Sequence, residues 1–338
     1  MNKLFFLLAL SLVILIIINI VWAIINLYMW ANNGIQLIIQ GTNLLENIYY
    51  SKLIGGIICA DVIWIIFALI FMFRRKNYKS DLALHYLQNN VIENPILCVI
   101  IPTYNESSNI ENVVKDYINQ KNVKYILVID NKSTDNTAEI AKAAGARVII
   151  KDKNRGFSHS YLLGLNEALK TDANVIITTE ADGTYEAKNI ERLFLYLENC
   201  DLVTGSRQNQ ILTQKDNQNT RLHVWGNFFL AKLIQLKYFN LHYWGIINLT
   251  DVGCGFLIVK REALKKIIHK LNKINTEKPI WNVGIRLYLL LLGIENDLRI
   301  LEVPITFRKR IDRSRLGTDN IIKAIKIGLA FLWIILRY

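Results

Sequence analysis

The segment Asn174–Tyr185, NVIITTEADGTY, most constrains what this chain can fold into. A short apolar run is followed by two acidic residues one position apart, Glu180 and Asp182, and then by Gly183. This pattern predicts a buried strand that ends in a polar turn, which would place both carboxylates at the carboxyl edge of a sheet, where open α/β folds bind ligands. Hard oxygen ligands on one turn suit Mg²⁺ or Mn²⁺ held against a diphosphate, although an isolated pair of this kind is more often an ordinary polar turn.

Strand and helix patterns alternate on both sides of this segment, which predicts a mainly parallel sheet with helices on its faces. The predicted strands are Ile96–Ile101, Lys124–Ile129, Arg147–Ile150, Val175–Thr178 and Leu202–Thr204. The predicted helices are Ser107–Asn119, Asp135–Ala144, Ser158–Lys170 and Ala187–Glu198. The chain contains neither GxGxxG nor GxxxxGK[ST], which disfavours a dinucleotide dehydrogenase and a P-loop ATPase.

Two apolar stretches precede this region and predict an integral membrane protein. Leu4–Trp30 is long enough to span a bilayer, and Leu53–Phe73 is a second candidate that ends in the basic run Arg74–Lys79. Because basic residues favour the cytoplasmic side, we expect residues 32–52 to be external and everything after Phe73 to be cytoplasmic. A cleaved signal peptide is the alternative for the first stretch, but the apolar run is too long for one.

The composition agrees with this arrangement. The chain has 338 residues, 52% of them hydrophobic, and a formal charge of +12, which is too apolar for one soluble domain and basic enough to attract anions. The tail Asn320–Tyr338 is short for a span and carries Lys323 and Lys326 on one helical face. It is therefore predicted to be an amphipathic helix at the membrane interface.

Asp61 lies inside the second apolar stretch, where an ionisable residue is costly. At about 1.5 Å per residue, Asp61 and Asn19 of the first stretch lie at similar depths, roughly 20 and 24 Å from the cytoplasmic face. We expect a structural hydrogen bond between them that locks the two helices together. A lipid- or proton-handling acid is the functional alternative.

Six motifs follow one another along the predicted α/β region. They are IPTYNE at 101–106, IDNKSTDNT at 129–137, Arg155-Gly156, EADG at 180–183, Gly205-Ser206-Arg207 and VPITF at 303–307. In this order they resemble the motifs of family 2 glycosyltransferases of the GT-A fold, and most closely those of the dolichyl-phosphate mannose and glucose synthases. The resemblance covers roughly residues 96–317. It implies an α/β, Rossmann-like nucleotide-sugar-binding domain between the N-terminal transmembrane helices and the C-terminal interfacial helix.

Six segments are expected on this basis. They are transmembrane helix 1 at 1–31, an external loop at 32–52, transmembrane helix 2 at 53–73, a juxtamembrane connector at 74–95, the glycosyltransferase domain at 96–317 and the amphipathic membrane-associated helix at 318–338.

The resemblance also implies roles for particular residues. Contacts to the nucleotide sugar are implied for Pro102, Tyr104, Glu106, Asp130, Glu180, Ala181 and Arg207. Ligation of Mg²⁺ or Mn²⁺ is implied for Glu180, Asp182 and Thr184. The family usually has Asp at the position of Glu180, and Asn131 replaces a common second Asp. Catalytic contributions are implied for Asp182, Asp251, Arg207 and Arg310, with Asp251 facing the acceptor.

A basic loop follows the VPITF motif. Arg310 with Ser314-Arg315-Leu316-Gly317 resembles the phosphate-binding R…SKLG loop of the family, with a spacing one residue shorter. Binding of the lipid phosphate is therefore implied for Arg310, Ser314 and Arg315. A run of like charge is otherwise usually a solvated surface.

The resemblance implies a metal-dependent, inverting transfer of a hexose from a UDP- or GDP-sugar to dolichyl or polyprenyl phosphate at the cytoplasmic face. The implied partners are the nucleotide sugar, the lipid phosphate and membrane lipids, with no nucleic acid. A phosphate acceptor is already anionic and needs no general base. Two alternatives remain open. A glycosyltransferase that extends a lipid-linked saccharide would need a base such as Asp251 or Glu277, and a catalytically silent membrane scaffold is suggested by the departures at Glu180 and Asn131.

Overall fold

The structure is a computed structural model that describes residues 2–40, 52–74, 86–238, 247–274, 284–310 and 320–337. It divides into two compact units, which we describe separately. The first comprises residues 1–77 with 336–338, and the second comprises residues 78–335.

Two helices make up the described N-terminal part of the first unit, α1 (Asn2–Gln40) and α2 (Lys52–Arg74). Among the described helices, only α1 has a stretch long and apolar enough to cross a membrane, Leu10–Met29, whereas the apolar stretch of α2, Gly55–Ile70, is shorter. Helix α1 also continues to Gln40, so residues 32–40 are not the loop that we expected. No proline interrupts that segment, which allows the helix to continue.

The two helices contact each other through polar as well as apolar groups. The indole Nε1 of Trp64 donates a hydrogen bond of 3.1 Å to the carbonyl oxygen of Leu8. The hydrogen bond predicted between Asn19 and Asp61 is also present. Polar contacts of this kind fix the pairing of two otherwise apolar helices.

The second unit is built on a seven-stranded sheet with the order β3-β2-β1-β4-β6-β5-β7. The strands are β1 (Leu97–Thr103), β2 (Val123–Asp130), β3 (Arg147–Ile150), β4 (Val175–Thr178), β5 (Leu202–Ser206), β6 (Leu257–Lys260) and β7 (Ile300–Pro304). Strand β6 runs antiparallel to both of its neighbours, β4 and β5, and the other neighbouring strands are parallel. The five predicted strands are present, and the prediction of a mainly parallel sheet is confirmed.

Eight α-helices and a short 3₁₀ helix, Gln210–Leu212, follow α2 in the described residues. The α-helices are α3 (Ile110–Ile118), α4 (Thr137–Ala143), α5 (Phe157–Ala168), α6 (Asn189–Leu197), α7 (Arg221–Lys237), α8 (Arg261–Leu271), α9 (Ile285–Glu295) and α10 (Ile321–Arg337).

Helix α5 packs closely on the sheet next to its carboxyl edge. At Gly164, an added Cβ atom would lie 2.3 Å from Cγ2 of Ile100 in β1, so only glycine permits this approach. Both Val99 and Ile101 of β1 are fully buried, and they pack with α3 and α6 residues in the main hydrophobic cluster. The strands β1, β2 and β4 therefore end rigidly at one edge, where the following loops carry the polar motifs.

Candidate active site

A cavity of about 240 Å³ lies at the carboxyl edge of the sheet. Loops after β1, β2 and β4 form it together with the beginnings of α5 and α9 and with the segment after β7. The lining residues are Pro102, Thr103, Tyr104, Glu106, Asn131, Asn154, Gly156, Phe157, Ser160, Glu180, Ala181, Asp182, Arg286 and Arg310. Most of these are polar or charged, and the two arginines among them are able to bind an anion such as a phosphate group.

Residues 180–183, which we call the acid turn, follow β4 after one intervening residue, Thr179. Gly183 has a φ of +73°, a backbone conformation that glycine adopts without strain. Beyond it, the backbone N–H and the hydroxyl of Thr184 both donate to Oδ1 of Asp182, at 3.1 and 2.7 Å. These bonds fix the orientation of the Asp182 carboxylate and leave its second oxygen directed to other partners.

Each carboxylate of the acid turn is paired with an arginine. Nη1 of Arg286, on α9, donates to Oε1 of Glu180 at 2.6 Å. Arg310 donates through Nε to Oδ2 of Asp182 at 2.7 Å and also through Nη2. The same Nη2 lies 3.8 Å from Oε2 of Glu180. Two negative charges are thus balanced by two positive charges at this position.

The two carboxyl groups differ in their acidity. Burial acts to raise the pKa of Glu180, but Arg286 and then Arg310 outweigh it and hold that pKa below its usual value. Burial and the neighbouring Glu180 carboxylate raise the pKa of Asp182, while Arg310 opposes them. Glu180 is therefore the more firmly ionised partner.

Reciprocal hydrogen bonds hold together the loops that follow β1 and β2. The backbone N–H of Asn105 donates to the hydroxyl of Ser133 at 2.9 Å, and the N–H of Thr134 donates to Oδ1 of Asn105 at 2.8 Å. Asp130 is buried and accepts from the Ser133 N–H at 3.0 Å. Asp130 thus stabilises the loop after β2 without lining the cavity, whereas Tyr104 and Glu106 line it.

Another part of the cavity lining is polar and includes Asn131, Asn154 and Ser160. Nδ2 of Asn131 donates to Oδ1 of Asn154 at 2.7 Å, and the buried Lys151 ammonium donates to Oδ1 of Asn131 and, at 3.1 Å, to the hydroxyl of Ser160. The backbone N–H of Arg155 donates to the same Asn131 oxygen at 3.1 Å. Asn131 is consequently held in one orientation by its neighbours.

Arg207 and Asp251 bind each other. Nε and Nη2 of Arg207 donate to the two Asp251 oxygens, each at 2.7 Å, and the Arg207 backbone N–H donates to Oδ2 at 3.0 Å. Burial acts to raise the pKa of Asp251, but Arg207 holds it below its usual value. Asp251 is fully buried, and neither residue lines the cavity. Their roles in phosphate and acceptor binding stay predictions.

The acid turn has the donor chemistry of a Mg²⁺ or Mn²⁺ site. Glu180 and Asp182 present hard oxygen atoms to the cavity from one turn, and water and a diphosphate would supply the remaining ligands. The described residues contain no group of three or more His, Cys, Asp or Glu side chains placed to hold a metal without such help. Thr184 lies behind Asp182 and donates to it, so its part in metal binding stays a prediction.

The structure thus brings most of the predicted site residues together. Those at the cavity are Pro102, Tyr104, Glu106, Glu180, Ala181, Asp182 and Arg310. Asp130, Thr184, Arg207 and Asp251 lie outside its lining, and Ser314, Arg315 and Glu277 lie outside the described residues. Sequence reasoning missed Arg286 and Phe157. A signal for Arg286 was present, since it is a lone cation at the start of the apolar segment IRLYLLLLGI.

The fold and the cavity define an α/β protein with a candidate ligand site at the carboxyl edge of its sheet. The model of the glycosyl transferase family 2 matches residues 98–268. The chain therefore belongs to glycosyl transferase family 2.

Individual relatives are consistent with this assignment. The chain is 28% identical over 234 residues to the polyprenol monophosphomannose synthase of Mycolicibacterium smegmatis, a match that covers 67% of this chain and 83% of the relative. It is 30% identical over 223 residues to a dolichyl-phosphate hexose transferase of Haloferax volcanii, covering 65% of this chain and 86% of the relative.

A solved structure shows the same fold. It is glucosyl-3-phosphoglycerate synthase from Mycobacterium tuberculosis in complex with Mn²⁺, UDP and glucosyl-3-phosphoglycerate. The TM-score is 0.50 and the sequence identity 19%, with coverage of 71% of this chain and 80% of that one. This similarity supports the GT-A, Rossmann-like fold of the second unit.

Proposed function

We propose that the protein is a membrane-bound, inverting glycosyltransferase that moves a hexose from a UDP- or GDP-sugar to dolichyl or polyprenyl phosphate at the cytoplasmic face. The names of the relatives support the lipid acceptor. The cavity supports the donor, because acidic, basic and aromatic side chains meet there at the edge of a nucleotide-binding sheet.

One observation carries this proposal. Nη1 of Arg310 is buried and has no hydrogen-bond partner among the described residues, although the other guanidinium nitrogens bind Asp182. A buried, unsatisfied cationic donor at a cavity is costly unless an anion completes it. A diphosphate fits, since its oxygens accept from guanidinium groups in charge-assisted bonds.

In this proposal the chain's own residues bind and orient the donor. Tyr104 and Glu106, which line the cavity, would contact the nucleoside, and Arg310 would bind the diphosphate. A Mg²⁺ or Mn²⁺ ion, when bound by Glu180 and Asp182, supplies positive charge that stabilises the leaving diphosphate. An oxygen of the acceptor phosphate forms the new bond to the sugar C1 as the bond from C1 to the diphosphate breaks, which inverts that carbon. Because the acceptor oxygen is already anionic, no base has to remove a proton.

This chemistry fits the structure better than extension of a lipid-linked saccharide. A sugar hydroxyl would need a general base, and Asp251 is fully buried in a bidentate pair with Arg207. The cavity lining contains the carboxylates of Glu106, Glu180 and Asp182, of which the last two are paired with arginines.

Membrane attachment is part of the proposal. The apolar stretch Leu10–Met29 of α1 and its partner α2 would anchor the chain, and the basic run after α2 would place the second unit in the cytoplasm. Helix α10 exposes Ile321, Ile325 and Leu329 together with Lys323 and Lys326. Such an apolar and basic surface suits the interface of an anionic leaflet.

The test is a transfer assay with the full chain in detergent or proteoliposomes. UDP- and GDP-linked hexoses are offered with either dolichyl phosphate or a lipid-linked monosaccharide as the acceptor, with and without Mn²⁺. We expect metal-dependent transfer to the lipid phosphate with inversion at C1. Transfer only to the lipid-linked sugar would replace the proposal with the extending enzyme. Absence of nucleotide-sugar binding would support the silent scaffold.

A further inference from the structure

Arg286 is a part-buried cation that faces a cavity, although the helix that carries it is largely apolar. The flanking residues in α9, Ile285 and Leu287, are fully buried and apolar. The Arg286 guanidinium instead lies over the ring of Phe157, 4.9 Å from its centroid, and both residues line the cavity. Burying a guanidinium is costly, and an apolar side chain in such a place is often as stable or more so.

The contact between Arg286 and Glu180 is tight on every side. Their atoms Nη1 and Oε1 are 2.6 Å apart. A Cβ atom added to Gly255 would lie 2.3 Å from each of them, so the backbone of the segment before β6 closes over the ion pair. The Glu180 carboxylate thus reaches across from the acid turn to α9.

The ion pair lowers the net negative charge that the acid turn presents to a cation. An acid turn with two free carboxylates would attract a divalent ion strongly. Here Arg286 neutralises Glu180, and Arg310 neutralises Asp182. A bound diphosphate would attract Arg310 through its unsatisfied Nη1. Arg310 would then neutralise the Asp182 carboxylate less completely, and that carboxylate would be available to a cation. Arg286 also lines the cavity, but its guanidinium is already engaged by Glu180 and by the ring of Phe157.

We propose that Arg286 is a positioning residue of the donor site and that it holds Glu180 in a neutral ion pair. As a result, the acid turn binds a divalent cation weakly until a nucleoside diphosphate binds with the cation. This inference rests on the proposed function for the identity of the ligand. In this arrangement Glu180 balances the charge of Arg286, and Asp182 is the principal protein ligand of the divalent cation. The cation and the nucleotide would then bind in a mutually dependent manner.

The experiment measures Mn²⁺ affinity of the full-length chain in detergent by electron paramagnetic resonance, without nucleotide. The variants are Arg286→Gln, Glu180→Gln and the double variant. Removing one charge of the pair exposes the other, so Arg286→Gln should bind Mn²⁺ about three to ten times more tightly, and Glu180→Gln more weakly by a similar factor. The double variant replaces an ion pair of zero net charge with two uncharged side chains. Its Mn²⁺ affinity should therefore lie within about twofold of that of the wild type.

Controls separate charge balance from damage to the fold. Arg299 forms another part-buried ion pair, 3.3 Å from Asp201, and does not line the cavity. Arg299→Gln should leave Mn²⁺ affinity unchanged. Arg286→Lys keeps the charge and should remain near the wild type. Adding UDP or GDP should tighten Mn²⁺ binding by a larger factor in the wild type than in Arg286→Gln.

Several results would overturn the inference. The first is that Arg286→Gln, at a normal melting temperature, binds Mn²⁺ no more tightly than the wild type. The second is that the double variant binds Mn²⁺ as weakly as Glu180→Gln does. The third is that no variant binds Mn²⁺. If Arg286→Gln does not fold, the double variant and Arg286→Lys decide the question. Because these affinities need neither sugar nor acceptor, a failure of lipid-phosphate transfer would overturn the proposed function without altering them.

Discussion

Nδ2 of Asn19 in α1 donates a hydrogen bond of 3.2 Å to Oδ1 of Asp61 in α2. The same amide nitrogen also donates to the Leu15 carbonyl oxygen at 3.0 Å, which holds the Asn19 side chain in place. This contact was expected from the depths of the two residues, and it gives a largely apolar helix pair a defined register. It accounts for a carboxyl group in an apolar stretch without assigning it a catalytic role.

We predict that Asn19→Leu and Asp61→Leu are coupled. A double-mutant cycle, measured by unfolding in a titration of denaturing detergent, should give a coupling free energy of about 0.5 to 1.5 kcal/mol. Ser11→Ala serves as the control, because the Ser11 hydroxyl bonds within its own helix to Leu8 at 2.9 Å. It should show no coupling to Asp61→Leu. Additive effects of the first pair, or loss of transfer with the helix pair intact, would contradict a structural role.

The ion pair between Arg207 and Asp251 is predicted to stabilise the fold. Breaking a buried, bidentate pair leaves an uncompensated charge, so Arg207→Gln or Asp251→Asn should each lower the free energy of unfolding by about 3 to 5 kcal/mol. The apolar double variant Arg207→Met with Asp251→Leu should recover much of that loss. Thermal melting and transfer per folded molecule are the measurements. Normal melting with abolished transfer would instead place these residues in catalysis.

Gly255→Ala should weaken donor binding. The new methyl carbon would lie 2.3 Å from both Arg286 Nη1 and Glu180 Oε1, and it would force the ion pair apart. We expect the affinity for UDP or GDP in the presence of Mn²⁺, measured by calorimetry, to fall by about tenfold or more. Gly226→Ala in α7 is the matched control, since no atom lies within 4 Å of its added Cβ. Equal affinities for the two variants would show that the packing at Gly255 is irrelevant to the donor.

Lys237 gives the second unit a pH-dependent stability. Its ammonium donates to the carbonyl oxygen of Ile335 at 2.7 Å, and burial lowers its pKa from 10.5 to about 8. Between these two values the folded chain binds fewer protons than the unfolded chain at this site, so stability should rise with pH by up to about 1.4 kcal/mol per unit. Below pH 8 the cost of the buried charge is fully present.

Melting temperatures of the wild type and of Lys237→Met, taken from pH 7 to pH 10, test this dependence. The difference between the two proteins should grow in favour of the wild type above pH 8. A constant difference over the whole range would show that Lys237 keeps its ordinary pKa in the folded chain.

Local sequence patterns predicted the elements that carry the acid turn. The strands before Tyr104 and Glu180 are apolar runs bounded by polar turns, and such patterns are readable without the fold. Strands β6 and β7 were not predicted. Leu257–Lys260 is only four residues long and leads directly into a helix, so its periodicity carries little information.

Contacts between distant segments could not be read from the sequence. Arg286 is 106 positions from Glu180, and Arg310 is 128 positions from Asp182. The acid turn was recognisable as a cluster of oxygen ligands, but its neutralisation by two arginines depends on how α9 and the segment after β7 fold back onto it. The burial of Asp251 against Arg207 could not be predicted either, because that contact also joins segments that are distant in the sequence.

The central claim is that Asp182 supports metal-dependent hexose transfer to a lipid phosphate. The most direct measurement compares Asp182→Asn with the wild type in the Mn²⁺-dependent transfer assay, at matched melting temperatures. Asp172→Asn is the control, because Asp172 is an exposed acid paired with Lys124 at 2.6 Å. We predict that Asp182→Asn abolishes transfer, because it removes charge at the cation that neutralises the diphosphate, and that Asp172→Asn retains it. Near-normal, metal-dependent transfer by Asp182→Asn would contradict the claim.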